Sequence, residues 1–191
     1  MHDERTTTRR VRHPILPVLF GLYLVLLVWT VLWKLDLPYA GQHGMLPVKL
    51  VPFFAWGDSG PSLLVEVVAN AMLFVPFGVY LRLLAPTWPW WRAAVVFALT
   101  SYGLETAQLI LAVGSFDTTD LIVNTAGGLA GFAAVSLAVH VFGSPARAWL
   151  RRFCTAATCV AVVLTAAFVV SPLQLVRHDT GPLTAERAVA Q

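Results

Sequence analysis

The chain has 191 residues, of which 58% are hydrophobic and 12% charged, with a mean hydropathy of +0.72 and a formal net charge of +3. A water-soluble domain carries about 25% charged residues, so this composition excludes an ordinary soluble fold and predicts a protein surrounded by lipid. The small net charge gives no reason to expect a nucleic-acid partner, and the length suits one bundle without a second domain.

Five apolar stretches meet or approach the roughly 20 residues that a helix needs to cross the hydrocarbon core of a bilayer. In chain order they cover residues 14–33, 63–84, 91–112, 121–142 and 153–171. Helix is the expected conformation because every backbone polar group must find a partner inside lipid. The sequence therefore predicts an all-α membrane protein with five transmembrane helices. A basic tail (1–13) precedes them, a basic inner loop opens the 143–172 segment that holds the fifth helix, and a polar tail (173–191) follows.

The distribution of Lys and Arg predicts the orientation of this bundle. If the N-terminus lies inside, nine of the 13 basic residues fall in inner segments and four in outer segments. The nine are Arg5, Arg9, Arg10, Arg12, Arg82, Arg92, Arg147, Arg151 and Arg152, and the four are Lys34, Lys49, Arg177 and Arg187. Cytoplasmic loops carry such an excess because basic residues resist translocation. We therefore expect a multi-pass protein of the cytoplasmic (plasma) membrane with its N-terminus in and its C-terminus out.

Polar and ionisable residues inside membrane helices are costly, and they mark candidate functional positions. In the predicted topology the second helix enters, the third leaves and the fourth begins in the outer half of the membrane. All three segments carry polar residues at this depth. They define a candidate outward-facing polar pocket of Glu66, Asn70, Glu105, Gln108, Ser115, Asp117, Asp120 and Asn124.

Several pocket residues also have a purely structural interpretation. The acidic residues before the fourth helix suit its N-cap, where a carboxylate accepts hydrogen bonds from unpaired backbone N–H groups. Glu66 is also compatible with a solvated interface, and Gln108 and Asn124 with hydrogen bonds between neighbouring helices. Glu105 is the most difficult to explain by structure alone, because it lies about two turns inside the third helix without a basic neighbour in sequence.

Glycine and proline residues are the candidate structural positions. Gly127 and Gly131, four residues apart with Gly128 between them, form a small-residue pattern that favours close helix packing. Pro76 removes a backbone donor from the second helix and predicts a kink there, for which Gly78 leaves room.

The sequence contains no zinc-binding H-E-x-x-H, nucleotide-binding, hydrolase or EF-hand motif. Glu105, Asp117 and Asp120 carry oxygen ligands of the kind that Mg²⁺ or Ca²⁺ uses. Because no metal-binding motif accompanies them, we predict neither a metal nor a cofactor.

Three ordered motifs resemble the VanZ-like family. They read N-A-M-L-F-V-P-F-G over 70–78, E-T-A-Q over 105–108 and S-F-D-T-T-D-L-I-V-N-T-A-G-G over 115–128. The family patterns are N-x-x-x-F-x-P-F-G, E-x-x-Q and R/S-F-D-x-x-D-x-x-x-N-x-x-G. Upstream, L-V-P-F over 50–53 is similar to the family's N-L-I-P-F, with Lys49 where the family has Asn. The resemblance covers residues 14–142, which we take as a VanZ-like transmembrane domain.

The resemblance implies an accessory protein of glycopeptide resistance, associated with lowered susceptibility to the lipid-tailed glycopeptide teicoplanin, and it carries over no catalytic residues. We therefore expect a non-enzymatic cell-envelope protein whose pocket binds membrane lipid, a lipid-linked cell-wall precursor or a lipoglycopeptide. The alternative is a membrane enzyme acting on a lipid-linked substrate at the outer leaflet, with Glu105, Asp117 and Asp120 as acid, base or metal ligands. A transporter is disfavoured because no internal repeat is present.

Overall fold

A computed structural model describes residues 15–33, 48–52 and 64–170. Within them lie helices α1 (Ile15–Trp33), α2 (Leu64–Leu84), α3 (Trp90–Ile110), α4 (Thr118–Phe142) and α5 (Ser144–Val170), and two short strands, β1 (Val48–Lys49) and β2 (Phe116–Asp117). All five helices are long and apolar enough to cross a membrane. The expected all-α, multi-pass membrane fold is therefore confirmed. The tails over 1–13 and 173–191 lie outside the described residues.

The fifth helix begins earlier than the sequence suggested. Its start was expected at residue 153, after a basic loop, whereas α5 begins at Ser144. Pro145 falls in the first turn, where a missing N–H is tolerated because that group has no helical partner. Arg147 and Arg151 are good helix formers, so the basic stretch continues the helix. Charge alone therefore does not mark a helix boundary here.

Glycines allow α2 and α4 to touch backbone to backbone. A Cβ atom built on Gly127 would lie 2.2 Å from the carbonyl oxygen of Ala71, and one on Gly131 would lie 2.0 Å from that of Val75. Gly78 makes the reciprocal contact from α2, where an added Cβ would lie 1.9 Å from a backbone oxygen of α4. Any side chain at these three positions would push the two helices apart.

Helix α2 continues through Pro76, which lacks an N–H group and so removes one internal hydrogen bond. Close to this break, the Tyr23 hydroxyl of α1 donates to the backbone oxygen of Leu73 at 2.5 Å. The oxygen that loses its helical partner at Pro76 is that of the preceding residue, Met72. The Phe77 ring packs edge-on against Phe97 of α3, with centroids 5.0 Å apart. The aromatic core therefore holds α1, α2 and α3 together close to Pro76.

The two short strands join the segment after α1 to the connection between α3 and α4. They pair in parallel, with Val48 opposite Phe116 and Lys49 opposite Asp117. Lys49 is thereby placed at the beginning of α4, although it lies almost 70 residues away in sequence.

The orientation of the bundle stays a prediction from the basic residues, and a reporter fusion tests it. A phosphatase that is active only outside the cytoplasm should be active when fused after Gln191 and silent when fused after Arg147. The reason is the excess of basic residues on the inner side. An inactive C-terminal fusion, with the full-length product detected on an immunoblot, would contradict the N-in, C-out topology.

Candidate functional site

A polar cavity of about 560 Å³ lies where α1 and α3 end and α2 and α4 begin. We call it the polar cavity. Its charged and polar lining consists of Thr30, Lys49, Glu66, Asn70, Glu105, Gln108, Ser115, Asp117, Asp120 and Asn124. All eight residues of the candidate pocket line it, and Lys49 and Thr30 are added to them. Their functional role stays a prediction.

The alternation of helix directions explains why these residues meet. The cavity end of the bundle holds the first turns of α2 and α4 and the last turns of α1 and α3. Glu66 and Asn70 lie one turn apart near the start of α2, and Glu105 and Gln108 lie one turn apart near the end of α3. Antiparallel neighbours therefore bring residues that are distant in sequence to a common depth.

Glu105 is nearly enclosed, with 1% of its surface exposed. Its Oε2 accepts a hydrogen bond from the backbone N–H of Asp117 at 2.9 Å. Asp117 is the N-cap of α4, and its Oδ1 accepts from the N–H of Thr119 at 2.7 Å. The second carboxylate oxygen of Asp117 lies 3.6 Å from the ammonium of Lys49. Both carboxylates thus stabilise the start of α4, where the helix dipole favours negative charge.

Two further hydrogen bonds tie the cavity walls together. The Asn70 amide of α2 donates to Oδ1 of Asp120 in α4 at 2.7 Å. The Gln108 amide of α3 donates to the backbone oxygen of Val31 at 2.9 Å. That oxygen is one of the last four of α1, which have no partner inside the helix. The polar residues therefore connect all four helices that surround the cavity.

Asn124 has an incompletely satisfied side chain. It is 2% exposed, and its amide nitrogen donates to the hydroxyl of Ser101 at 2.9 Å. Its Oδ1 is the one buried side-chain oxygen or nitrogen, within the described parts of the chain, that has no hydrogen-bond partner. A buried polar atom without a partner costs about 1–3 kcal/mol. Asn124 is also one of the residues that line the polar cavity.

The lining is rich in hydrogen-bond acceptors and in carboxyl groups. Four carboxyl side chains, those of Glu66, Glu105, Asp117 and Asp120, stand against the single ammonium of Lys49 in the described lining. A carboxylate accepts hydrogen bonds and attracts cations. The cavity is therefore suited to a group that donates hydrogen bonds, such as an ammonium or a hydroxyl. Among the described residues, no three His, Cys, Asp or Glu side chains are grouped so that they could hold a metal ion.

Sequence reasoning missed two contributions to the cavity. Lys49 was noticed as a departure from a motif, but a two-residue strand has no periodicity that would place it beside Asp117. The part of the wall that α1 supplies at Thr30 and Val31 could not be recognised in the sequence either. Thr30 is an ordinary residue in an apolar helix, and Val31 contributes only its backbone oxygen. The spacing of Ser101, Glu105 and Gln108 predicts from sequence that they share one face of α3.

The fold and the site define a multi-pass membrane protein with a polar cavity near one end of its helix bundle. Residues 20–139 match the family model described as VanZ/LLP1, and the chain belongs to this family. The expected VanZ-like relationship is thereby confirmed. The protein is also similar to Protein VanZ of Enterococcus faecium, with 34% identity over 124 residues, which cover 62% of this chain and 72% of that protein. No solved structure matches the chain.

Proposed function

We propose that this protein is a non-enzymatic envelope protein of the plasma membrane whose polar cavity binds the polar head of a lipid or lipid-linked molecule at the outer leaflet. By occupying or shielding such molecules it lowers susceptibility to lipid-tailed glycopeptides of the teicoplanin type. The observation that carries the proposal is the unpaired Oδ1 of Asn124, a residue that lines an acceptor-rich cavity between helices long and apolar enough to span the membrane.

The depth of the cavity favours an amphiphilic ligand. Glu105 and Asn124 belong to helices that are long and apolar enough to span the membrane, and both are almost fully buried. Ionisable residues inside a membrane protein face its interior and mark sites for ligands or ions. A molecule that reaches such a site from the bilayer carries an apolar tail and a polar head, and the head meets these acceptors.

The charge of the cavity favours a head that donates hydrogen bonds. An isolated phosphate in the cavity would lie among four carboxyl groups. The one ammonium of the described lining, that of Lys49, already pairs with Asp117 at 3.6 Å. An ammonium or hydroxyl group would instead bond to the carboxylates and to Oδ1 of Asn124. Electrostatic attraction is stronger here than in water because the surroundings have a low dielectric constant.

The relationship to a protein named VanZ supports the link with glycopeptide resistance. We expect expression in a susceptible Gram-positive host to raise the inhibitory concentration of a lipid-tailed glycopeptide roughly tenfold, which corresponds to about 1.4 kcal/mol of competition. A glycopeptide without a tail should be affected little. The tail concentrates the drug in the same leaflet as the cavity, whereas an untailed drug acts from the aqueous wall. Paired broth-dilution measurements on both drugs check this prediction.

The control for this experiment is the Asn124→Leu variant, expressed at the same level in the same host. It removes the unpaired acceptor and fills its space with an apolar side chain, so protection should disappear. Equal protection against tailed and untailed drugs, or full protection by the variant, would contradict the proposed mode of action.

The alternative function is a membrane enzyme that acts on a lipid-linked substrate at the outer leaflet. It is favoured by Glu105, a buried carboxyl group that lines the cavity and is held by the N–H of Asp117, as a positioned general acid or base would be. The two functions differ in their products. Binding leaves lipid-linked precursor chemically unchanged, whereas catalysis gives turnover that Glu105→Gln abolishes.

A further inference from the structure

A second cavity, apolar and about 340 Å³ in volume, lies between α1, α2 and α5. We call it the apolar groove. Helix α1 contributes Leu26 and Leu27, α2 contributes Val79, and α5 contributes Ala157 and Ala161. The small alanine side chains leave this side of α5 open. Both alanines are exposed, so the groove is accessible from the surrounding lipid.

The apolar groove lies next to the polar cavity. Thr30 of α1 and Leu73 of α2 line both. From these two residues the groove follows α2 towards Tyr80, seven residues further along the helix, which corresponds to roughly 10 Å at the helical rise per residue. A molecule that extends from one cavity into the other therefore has its polar part near the helix ends and its apolar part deeper in the bundle.

A hydrogen-bonded contact between α2 and α5 lies at the far end of the groove. The hydroxyls of Tyr80 and Thr158 are 2.5 Å apart, and the Tyr80 hydroxyl donates to the backbone oxygen of Cys154 at 3.2 Å. Tyr80 is 1% exposed. This contact fixes α5 against α2 next to the gap beside Ala157 and Ala161.

We infer that the two cavities together bind one phospholipid with a primary ammonium head, such as phosphatidylethanolamine. The ammonium lies among the carboxylates and Oδ1 of Asn124, the phosphate lies on the side of Lys49, and one acyl chain lies in the apolar groove. This inference rests on the proposed function and adds to it the class of ligand. The polar residues of the cavity favour the head, and the shared lining residues Thr30 and Leu73 place the groove within reach of an acyl chain of the same molecule.

Photocrosslinking tests whether the acyl chain of the lipid lies in the apolar groove. The protein is reconstituted into vesicles of phosphatidylethanolamine and phosphatidylglycerol that contain a phosphatidylethanolamine with a diazirine in one acyl chain. After irradiation, mass spectrometry of peptides should find label on α5 at Ala157 and Ala161. Ala157→Phe fills the groove and should reduce this label roughly tenfold. Val163→Phe lies on the lipid-exposed side of α5, where the native side chain is 65% exposed, and should leave the label unchanged.

Ala161→Leu is a milder groove-filling variant, and melting curves in the same vesicles establish that each variant is folded. Reduced label in a folded groove variant and in Glu105→Gln supports one lipid spanning both cavities. If Glu105→Gln loses bound phosphatidylethanolamine but the groove variants label normally, the inference is wrong and the proposed function stands. If neither kind of variant changes lipid binding, both are wrong. Equal labelling by a diazirine phosphatidylglycerol, or label spread evenly around α5, would overturn the assignment of this lipid.

Discussion

Replacing Gly131 by alanine is expected to destabilise the protein by about 1–3 kcal/mol, the usual cost of overpacking a close contact. The added Cβ would lie 2.0 Å from the backbone oxygen of Val75, and backbone cannot rotate away as a side chain can. In thermal unfolding of the purified protein this corresponds to a melting temperature lower by roughly 3–10 °C. Gly127→Ala should behave in the same way against Ala71.

The matched control is Gly103→Ala in α3, where an added Cβ meets no atom within 4 Å. Alanine favours helix over glycine by up to about 1 kcal/mol, so this variant should be as stable as the native protein or more stable. If Gly131→Ala and Gly103→Ala shift the melting temperature equally, α2 and α4 do not cross as closely as described.

This close crossing also positions the site. Asn70 lies one residue before Ala71, which contacts Gly127, and it donates to Asp120 across the same helix pair. Separating α2 from α4 by the width of a methyl group would break this 2.7 Å hydrogen bond, because such bonds weaken steeply with distance. The glycine variants should therefore lose protection against the drug as well as stability.

Glu105→Gln and Asp120→Asn are each expected to reduce protection roughly tenfold when protein levels are matched. Both side chains line the polar cavity, one from α3 and one from α4, and both variants keep the shape of the side chain while replacing its carboxyl group by an amide. The double variant should lose little more protection than the worse single variant, because the effects of substitutions at groups that bind one ligand do not add up. Inhibitory concentrations measured for the native protein, the two single variants and the double variant complete this double-mutant cycle.

Ser136→Ala provides the additive control for this cycle. The Ser136 hydroxyl donates only to the backbone of its own helix, at Phe132, and lies away from the cavity. Its removal should be nearly neutral alone and should add nothing specific to Glu105→Gln. Losses that add fully between Glu105→Gln and Asp120→Asn would mean that these residues serve separate roles.

The helices were predictable because the bilayer imposes strong rules on sequence. A hydrophobic stretch of about 20 residues leaves few alternatives to a spanning helix. The convergence of polar residues followed from the same rules, since antiparallel helices bring Glu66, Gln108 and Asp120 to one depth. The structure places these residues around one cavity.

Features that depend on contacts between distant segments were not predictable in this way. The pairing of Lys49 with Asp117 depends on a two-residue strand, and the contact of Gln108 with α1 depends on a backbone oxygen. The start of α5 at Ser144 was missed because a basic run is compatible with either a loop or a helix. The apolar groove results from three helices at once, and residues such as Ala157 resemble any lipid-facing alanine in sequence.

Native mass spectrometry of the protein and its Asn124→Leu variant, both from vesicles of mixed lipids, tests most directly that the cavity acceptors serve a ligand. The native protein should retain one amino-headed lipid per chain, and the variant should retain roughly tenfold less. The variant should nevertheless melt at the same or a higher temperature, because it removes a buried acceptor that has no protein partner. The freed Ser101 hydroxyl can bond within its own helix. Unchanged lipid retention in the variant, or a loss of lipid together with a lower melting temperature, would contradict a ligand-binding role for Asn124.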